Sequence, residues 1–191
     1  MLPSEDVIFQ QCAYGVCNNF TSISPYCAEH LRAAFGVSVE PSRIPGAGRG
    51  LFARERFPRG YWIGNYEGQR LTMAQVQNKY GAQRGDYVMC DSTNTRCIDA
   101  RVSSSCYTRF INDPFGTRRR ANARFEEAPD SDDDPAGRLS TQCVALRAIR
   151  PGEEILAEYK GDYFEEEDLV ELGPEEFVPV VDLDDFDLRR E

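Results

Sequence analysis

The amino-acid sequence predicts an α+β protein that is mostly β. The prediction rests on many short runs of β-branched and aromatic residues, one segment with clear helical signals, and glycine or proline turns between the runs. The length of 191 residues suits one domain with a small appendage, and 41% hydrophobic residues can fill an ordinary core. No apolar stretch approaches the length of about 18 residues that crosses a bilayer, so we expect no membrane association.

The acidic charge of the chain is concentrated at its C-terminal end. The whole sequence has 22 Lys and Arg against 32 Asp and Glu, whereas residues 158–191 alone hold 14 acidic and 3 basic residues. The rest of the chain is nearly neutral, which argues against direct nucleic-acid binding, although Arg118–Arg120 leaves a local basic patch open. An acidic tail suits solubility, a basic protein partner or autoinhibition.

Four early residues have the chemistry of a structural zinc site. Cys12, Cys17, Cys27 and His30 follow the spacing C-x4-C-x9-C-x2-H, and His30 is the only histidine. Three thiolates and an imidazole complete a tetrahedral Zn²⁺ shell, which would fold a segment of ~30 residues that is too short for its own core. We therefore predict a zinc-binding segment over residues 1–40; the alternative is scattered buried cysteines and a surface histidine.

The N-terminal sequence and the cysteine content indicate the redox conditions around the protein. The N-terminus lacks the basic and apolar regions of a secretory signal, so we expect a reducing environment. In that environment the seven cysteines are expected to be metal ligands and buried thiols rather than disulfides.

A glycine-rich turn opens the main body of the chain. Gly46, Gly48 and Gly50 alternate within Arg43–Ala53, which permits positive φ and close approach to a ligand. The spacing is not the G-x-G-x-x-G dinucleotide fingerprint, and such a turn can also be purely structural.

The other elements follow from local signals. Thr72 is the predicted N-cap of a helix over Met73–Tyr80 that ends at Gly81. Residues 126–137 form an acidic solvated insertion. Within the C-terminal segment over residues 165–191, Glu165–Leu172 is compatible with one acidic helix, and Phe177–Leu188 alternates acidic with apolar residues, as in segments that fold against a partner or their own domain. Strands are predicted at Tyr61–Gly68, Asp86–Cys90, Thr95–Asp99, Gln142–Ala148 and Glu154–Tyr159.

Four segments form an ordered series. They are I-P-G-A-G-R-G-L-F-A at 44–53, N-Y-E-G at 65–68, R-F-I-N at 109–112 with A-N-A at 121–123 downstream, and G-E-E-I-L-A-E-Y at 152–159. Over residues 41–164 this series resembles the SET-domain protein lysine methyltransferases. The resemblance implies small curved β-sheets with a pseudoknot that brings 109–112 beside Tyr159. It also implies that S-adenosylmethionine and the peptide bind opposite faces, joined by a narrow lysine channel.

The same resemblance implies roles for individual residues. Tyr159 matches the tyrosine at the methyl-transfer site, and an arginine with an amide suits the zwitterion of the cofactor's methionine part. Substrate-channel walls are expected from Tyr66, Phe125 and Tyr163. Cofactor contacts are expected from Ala47, Gly48, Arg49, Tyr87, Arg109, Asn112, Asp113 and Phe164.

The chain departs from the family pattern at three places. Glu158 precedes Tyr159 where the family usually has aspartate, which is a mild change. Asp113 and Pro114 stand where the family usually has histidine and serine, which changes the local charge. No C-x-C-x4-C cluster follows Tyr159, so residues 162–186 are the candidate for closing the channel.

The leading hypothesis is therefore a protein-lysine N-methyltransferase that uses S-adenosylmethionine and acts on a basic protein tail, histones by default. We expect it in the nucleus, with the cytoplasm as the alternative. The second hypothesis is a weak or inactive SET-like scaffold that docks into a chromatin complex through the acidic tail. A third, a zinc-dependent nucleic-acid module, rests only on the cysteine cluster and Arg118–Arg120.

Overall fold

The structure of the chain, a computed structural model, describes residues 7–81, 85–102, 104–127 and 140–159. Within these ranges the chain is mostly β, with small sheets and two α-helices, which confirms the predicted fold class. The expectations for Tyr163, Phe164, residues 165–191 and residues 128–137 of the acidic insertion fall outside the described residues.

The N-terminal segment holds a short ribbon and a helix. Strands β1 (Gln10–Gln11) and β2 (Phe20–Thr21) pair antiparallel, and helix α1 (Ala28–Phe35) ends at Gly36 with a φ of 65°. Helix α1 has no counterpart among the helices predicted from the sequence. The N-cap residue of α1 is Cys27, which makes no capping hydrogen bond, so the usual start signal is missing from the sequence.

The first three-stranded sheet connects this segment to the body. Strand β3 (Val37–Pro41) pairs antiparallel with β4 (Arg49–Ala53), and the residues between them form the glycine-rich turn. The other edge of β4 pairs with a C-terminal strand, Glu154–Ile155. The strand that follows the glycine-rich turn, β4, is therefore paired on one side with β3 and on the other with a strand near the C-terminal end of the described residues.

A second sheet has β5 (Trp62–Tyr66) at one edge, a central strand over Thr141–Ala145 and an outer strand over Ala123–Glu127. All pairs are antiparallel, with an irregularity in register between Cys143 and Val144. The bounds differ from the predicted Gln142–Ala148 because the ladder breaks before Leu146.

The third sheet contains β6 (Gln69–Thr72), β7 (Val88–Cys90) and β8 (Arg96–Asp99), with β8 in the centre. Helix α2 spans Met73–Tyr80 as predicted. Its N-cap Thr72 accepts from the Gln75 N–H while the Gln75 side chain accepts from the Thr72 N–H, which completes a capping box. We number the remaining strands β9 (123–127), β10 (141–145) and β11 (154–155).

The expectation that no cysteine forms a disulfide is wrong at Cys90 and Cys97. These residues are direct partners in the β7–β8 ladder, with Cα atoms 4.0 Å apart, and the structure joins them in a disulfide. The turn at 91–94 brings the two strands together, so the reason is the hairpin register, which a cysteine count alone does not reveal. The other five cysteines are free.

The main core lies between the first two sheets. Its most buried members include Leu51, Phe57, Ile111, Ile149 and Ile155. Isolated parallel bridges join Asn112 to Leu156 and Ala123 to Ala157, so the segment after β11 lies between two other chain segments. Neither described helix is long and apolar enough to cross a bilayer.

Candidate functional site

The four predicted metal ligands converge. Their ligand atoms all lie within 4.8 Å of one another, and Nδ1 of His30 is 3.5 Å from Sγ of Cys12 and 3.3 Å from Sγ of Cys27. Zinc bonds of about 2.3 Å to sulfur and 2.0 Å to nitrogen give tetrahedral edges near 3.6 Å, so these separations fit a shared ion. Burial opposes ionisation of Cys27, but hydrogen bonds from the His30 N–H and the Asn19 amide lower its pKa to about 6, which favours the ligating thiolate.

Local structure explains this convergence. Cys27 is the N-cap of α1 and His30 stands in its first turn, so the two side chains share one end of the helix. The Cys27 N–H donates to Sγ of Cys12, and the Asn19 N–H donates to Sγ of Cys17. Backbone donors near metal thiolates orient the ligands, as outer-shell groups do in structural sites.

An aromatic cluster packs this segment against the body. The ring of Tyr14 stacks on His30 with centroids 4.4 Å apart, while Tyr26 and Phe35 contact each other at 4.5 Å. Phe35 in turn lies 5.1 Å from Tyr107, a core residue of the body. These aromatic contacts therefore connect the cluster of Cys12, Cys17, Cys27 and His30 to the core of the domain.

The glycine-rich turn is an ordered loop closed by its own backbone. The Ser42 N–H donates to the Gly48 carbonyl at 2.9 Å, and the Ala47 N–H donates to the Ile44 carbonyl at 3.2 Å. Gly46 and Gly48 adopt φ of 78° and 69°, and a Cβ added at either would meet no atom within 4 Å. The backbone of this loop therefore faces open space where a ligand can approach.

Asn112 ties this loop to the R-F-I-N segment. Its side-chain NH2 group donates to the Arg49 carbonyl at 2.8 Å and to the Ser42 hydroxyl at 3.1 Å. The backbone carbonyl of Asn112 accepts from the Ala157 N–H at 3.0 Å. Arg49 and Asn112 are thus brought together. The two N–H donors of this side-chain amide are engaged with protein groups, which leaves its Oδ1 oxygen as the acceptor for a ligand ammonium.

Arg109 and Tyr87 also meet. The guanidinium of the buried Arg109 lies 3.9 Å from the centroid of the Tyr87 ring, a close cation–π contact. The Tyr87 carbonyl accepts from the Tyr66 hydroxyl at 2.9 Å. Tyr66 packs edge-on against Phe125 with centroids 5.5 Å apart, so these two predicted channel aromatics share one wall.

Tyr159 lies directly against the R-F-I-N segment. Its hydroxyl donates to the Ile111 carbonyl at 2.7 Å, and its backbone N–H donates to the carboxylate of Asp113. Asp113 also accepts from the Phe115 N–H at 2.8 Å. Burial raises the pKa of Asp113, and the Glu158 charge adds to this, against the lowering effect of its two backbone donors.

Sequence reasoning missed three polar residues that hold the site together. Asn122 donates to the Glu154 carbonyl at 2.8 Å and accepts from the Leu156 N–H at 2.9 Å, so its amide completes the backbone bonding of the C-terminal segment. The half-buried Ser42 also donates its hydroxyl to the buried carboxylate of Glu154 at the base of the glycine loop. In the sequence, Glu154 stands directly before the apolar run Ile155–Ala157, and this position next to buried residues was the available indication that its carboxylate is buried.

The comparisons with known proteins agree with this geometry. A family model of the SET domain matches residues 48–160, more than half of the chain. Two solved structures of the Chaetomium thermophilum Polycomb Repressive Complex 2, humanized mutants each bound to an inhibitor, align with TM-scores of 0.52 and 0.53 at 21% identity. A structure of ctPRC2 in an autoinhibited conformation bound to S-adenosylmethionine aligns at 0.54 and 22%.

These alignments cover 67–69% of this chain but only 15–16% of the complex's chain, so the similarity is confined to a small part of the larger protein and concerns the fold. No curated protein matches the sequence. The family match and the fold together establish that the chain belongs to the SET domain family.

Proposed function

We propose that this protein is an S-adenosylmethionine-dependent protein-lysine methyltransferase that acts on a basic protein tail such as that of a histone. The observation that carries the proposal is the hydrogen-bonded convergence of Tyr159, the R-F-I-N segment and the glycine loop. The side-chain amide of Asn112 donates to the backbone carbonyl of Arg49. The two residues that flank Asn112 bind Tyr159: the Ile111 carbonyl accepts from its hydroxyl, and the Asp113 carboxylate accepts from its backbone N–H. The SET neighbour bound to S-adenosylmethionine supports the same cofactor.

The residues present fit this cofactor. The open backbone at Gly46 and Gly48 provides a polar cradle, and Arg109 supplies a fixed cation for a carboxylate. Ala47, Gly48, Arg49, Tyr87, Arg109, Asn112, Asp113 and Phe164 remain the proposed cofactor contacts, with Arg109 and Asn112 for the carboxylate and the ammonium of its methionine part. When bound, S-adenosylmethionine supplies a methyl group activated by a sulfonium.

The side chains of this protein would then prepare the lysine amine. A free lysine has a pKa near 10.4 and is protonated at neutral pH, so the site must favour the neutral amine. The aromatic wall of Tyr66 and Phe125, with Tyr163 proposed beside it, would desolvate the ammonium and lower its pKa. Tyr159 would orient the amine through its phenolic oxygen and stabilise positive charge in the transition state.

The cysteine cluster would hold one structural Zn²⁺ through Cys12, Cys17, Cys27 and His30. All four protein ligands are used, which leaves no open position for catalysis. We propose residues 1–40, 41–164 and 165–191 as the zinc segment, the SET domain and the acidic tail. The tail would attract a basic substrate or a chromatin-complex subunit, and the proposed location is the nucleus, with the cytoplasm as the alternative.

A second candidate function is a catalytically weak scaffold in a chromatin complex. Asp113 favours it, because a carboxylate stands where the family usually has histidine and is used to hold the Tyr159 backbone. Two measurements separate the candidates: calorimetric titration with S-adenosylmethionine, and transfer of labelled methyl to histones and to proteins of a cell extract. Cofactor binding with transfer supports the enzyme, whereas binding without transfer to any protein supports the scaffold.

A further inference from the structure

Glu154 places a carboxylate inside the protein at the base of the glycine loop. The residue is 3% exposed, and it stands in β11, five positions before Tyr159. One carboxylate oxygen accepts from the Ser42 hydroxyl at 2.5 Å, and the other accepts from the Arg43 N–H at 2.9 Å. Burying a charged group is costly unless hydrogen bonds compensate it, and both oxygens of this carboxylate are engaged with the start of the loop.

Ser42 extends this contact across the loop. A serine hydroxyl offers one donor and two acceptor positions. In Ser42 the donor goes to Glu154, and the acceptor positions receive the Ile44 N–H at 3.0 Å and the Asn112 amide at 3.1 Å. The hydroxyl is therefore fully used, and it connects Glu154 with the side chain that also holds the Arg49 carbonyl.

The C-terminal end of the loop, at Gly50, packs closely against the same carboxylate. Gly50 has no positive φ, yet a Cβ added to it would collide with Oε1 of Glu154 and approach the Phe52 ring. Gly50 is thus required by close packing on the carboxylate. Both ends of the loop, Ser42–Arg43 and Arg49–Gly50, are positioned on this network.

We propose that Glu154 is a positioning residue for cofactor binding. Its carboxylate holds the loop over residues 42–49 in the conformation that presents the backbone of 47–49 to the cofactor. This inference rests on the proposed function, because it names a residue that tunes the affinity of that site for S-adenosylmethionine. Glu154 touches no reacting atom, so it acts on cofactor affinity and leaves the transfer step itself unchanged.

The test compares Glu154→Gln with the neighbouring Glu153→Gln in the full chain. Glutamine has nearly the same shape but cannot accept from both Ser42 and Arg43 through two oxygens. Glu153 is a matched control in the same segment, since its carboxylate accepts from the Arg150 N–H and contacts the exposed Arg147. Ser42→Ala is the second variant, because it removes the central hydroxyl from a half-buried position.

We expect Glu154→Gln to raise the S-adenosylmethionine dissociation constant about tenfold by calorimetry, as loss of a charge-assisted hydrogen bond does. KM for the cofactor should rise in parallel, while kcat at saturating cofactor stays within about twofold. Without cofactor, amides of the loop should exchange hydrogen faster in Glu154→Gln and Ser42→Ala, but not in Glu153→Gln.

Unchanged loop exchange and unchanged cofactor affinity in both Glu154→Gln and Ser42→Ala would overturn the inference. A lower kcat with unchanged KM would also overturn it, because the residue would then act on the transfer step. If the unmodified protein binds no S-adenosylmethionine, the proposed function fails, while loop exchange still decides whether Glu154 holds the loop. If Glu154→Gln does not fold, Ser42→Ala alone decides between these outcomes.

Discussion

The phenolic hydroxyl of Tyr159 donates a hydrogen bond to the carbonyl oxygen of Ile111 at 2.7 Å. This bond uses the only proton of the hydroxyl, so every further contact that the oxygen makes must be as an acceptor. An oxygen restricted to accepting suits a site where positive charge develops between an amine and a methyl group. The same bond holds the ring against the R-F-I-N segment, so orientation and electrostatics have one structural origin.

We therefore expect Tyr159→Phe to lower the single-turnover rate of methyl transfer about 100-fold or more, as loss of a preorganised polar group at a reaction centre does. The affinity for S-adenosylmethionine should change less than threefold, because the ring and its backbone contact to Asp113 remain. The matched control is Tyr61→Phe, a partly exposed tyrosine stacked on Phe57. Equal rates in Tyr159→Phe and the unmodified protein would exclude Tyr159 as the catalytic residue.

The pH dependence of stability should carry the signature of Asp113. Burial raises its pKa, so the folded state binds the proton more readily than the unfolded state does. The contribution of this group is therefore fully present below its unfolded pKa of about 3.9 and is lost as pH rises through the folded value. Urea unfolding between pH 4 and 7 should show Asp113→Asn gaining stability relative to the unmodified protein as pH increases.

Asp91 serves as a control, because its pKa is shifted in the opposite direction from that of Asp113. Burial alone would raise its pKa, but the Arg96 guanidinium, the Thr95 N–H and the Thr93 hydroxyl hold it well below its usual range. Its contribution is present above the unfolded pKa and is lost as pH falls, so Asp91→Asn should cost most near neutral pH. Differences of the same sign in both variants would contradict the assignment of the two carboxyl groups.

The sequence predicted those features that depend on local signals. The helix over Met73–Tyr80 and the convergence of the four candidate metal ligands could be predicted because the determinants of each lie within one short segment of the sequence. The convergence of Tyr159 with the R-F-I-N segment came from the family resemblance. What stayed hidden depends on register and burial: the Cys90–Cys97 pair needs a hairpin alignment, and the roles of Ser42 and Glu154 need contacts between positions more than 100 residues apart.

The packing of Gly64 against Tyr107 gives a prediction about stability. A Cβ at Gly64 would lie 2.5 Å from the hydroxyl oxygen of Tyr107, and the O–H of that hydroxyl donates to the Ile63 carbonyl at 2.7 Å. Gly64→Ala should therefore lower the free energy of unfolding by about 1–3 kcal/mol through overpacking. In a Tyr107→Phe background the alanine should cost less, because the clashing oxygen is gone. Additive effects in the double variant would show that the cost arises elsewhere.

The cysteine cluster should bind one zinc ion per chain, and its loss should destabilise the whole domain. Elemental analysis of the purified protein should give one equivalent of zinc, and His30→Ala or Cys17→Ser should lower that content, because each removes one of four ligands. Chelation should also lower the unfolding temperature of the body, since the stack of Tyr14 on His30 and the Phe35–Tyr107 contact connect the cluster to the core.

Cys106→Ala is the matched control: this buried cysteine lies outside the cluster, so its loss should leave the zinc content at one equivalent. A full zinc equivalent in His30→Ala and Cys17→Ser would place the ion elsewhere.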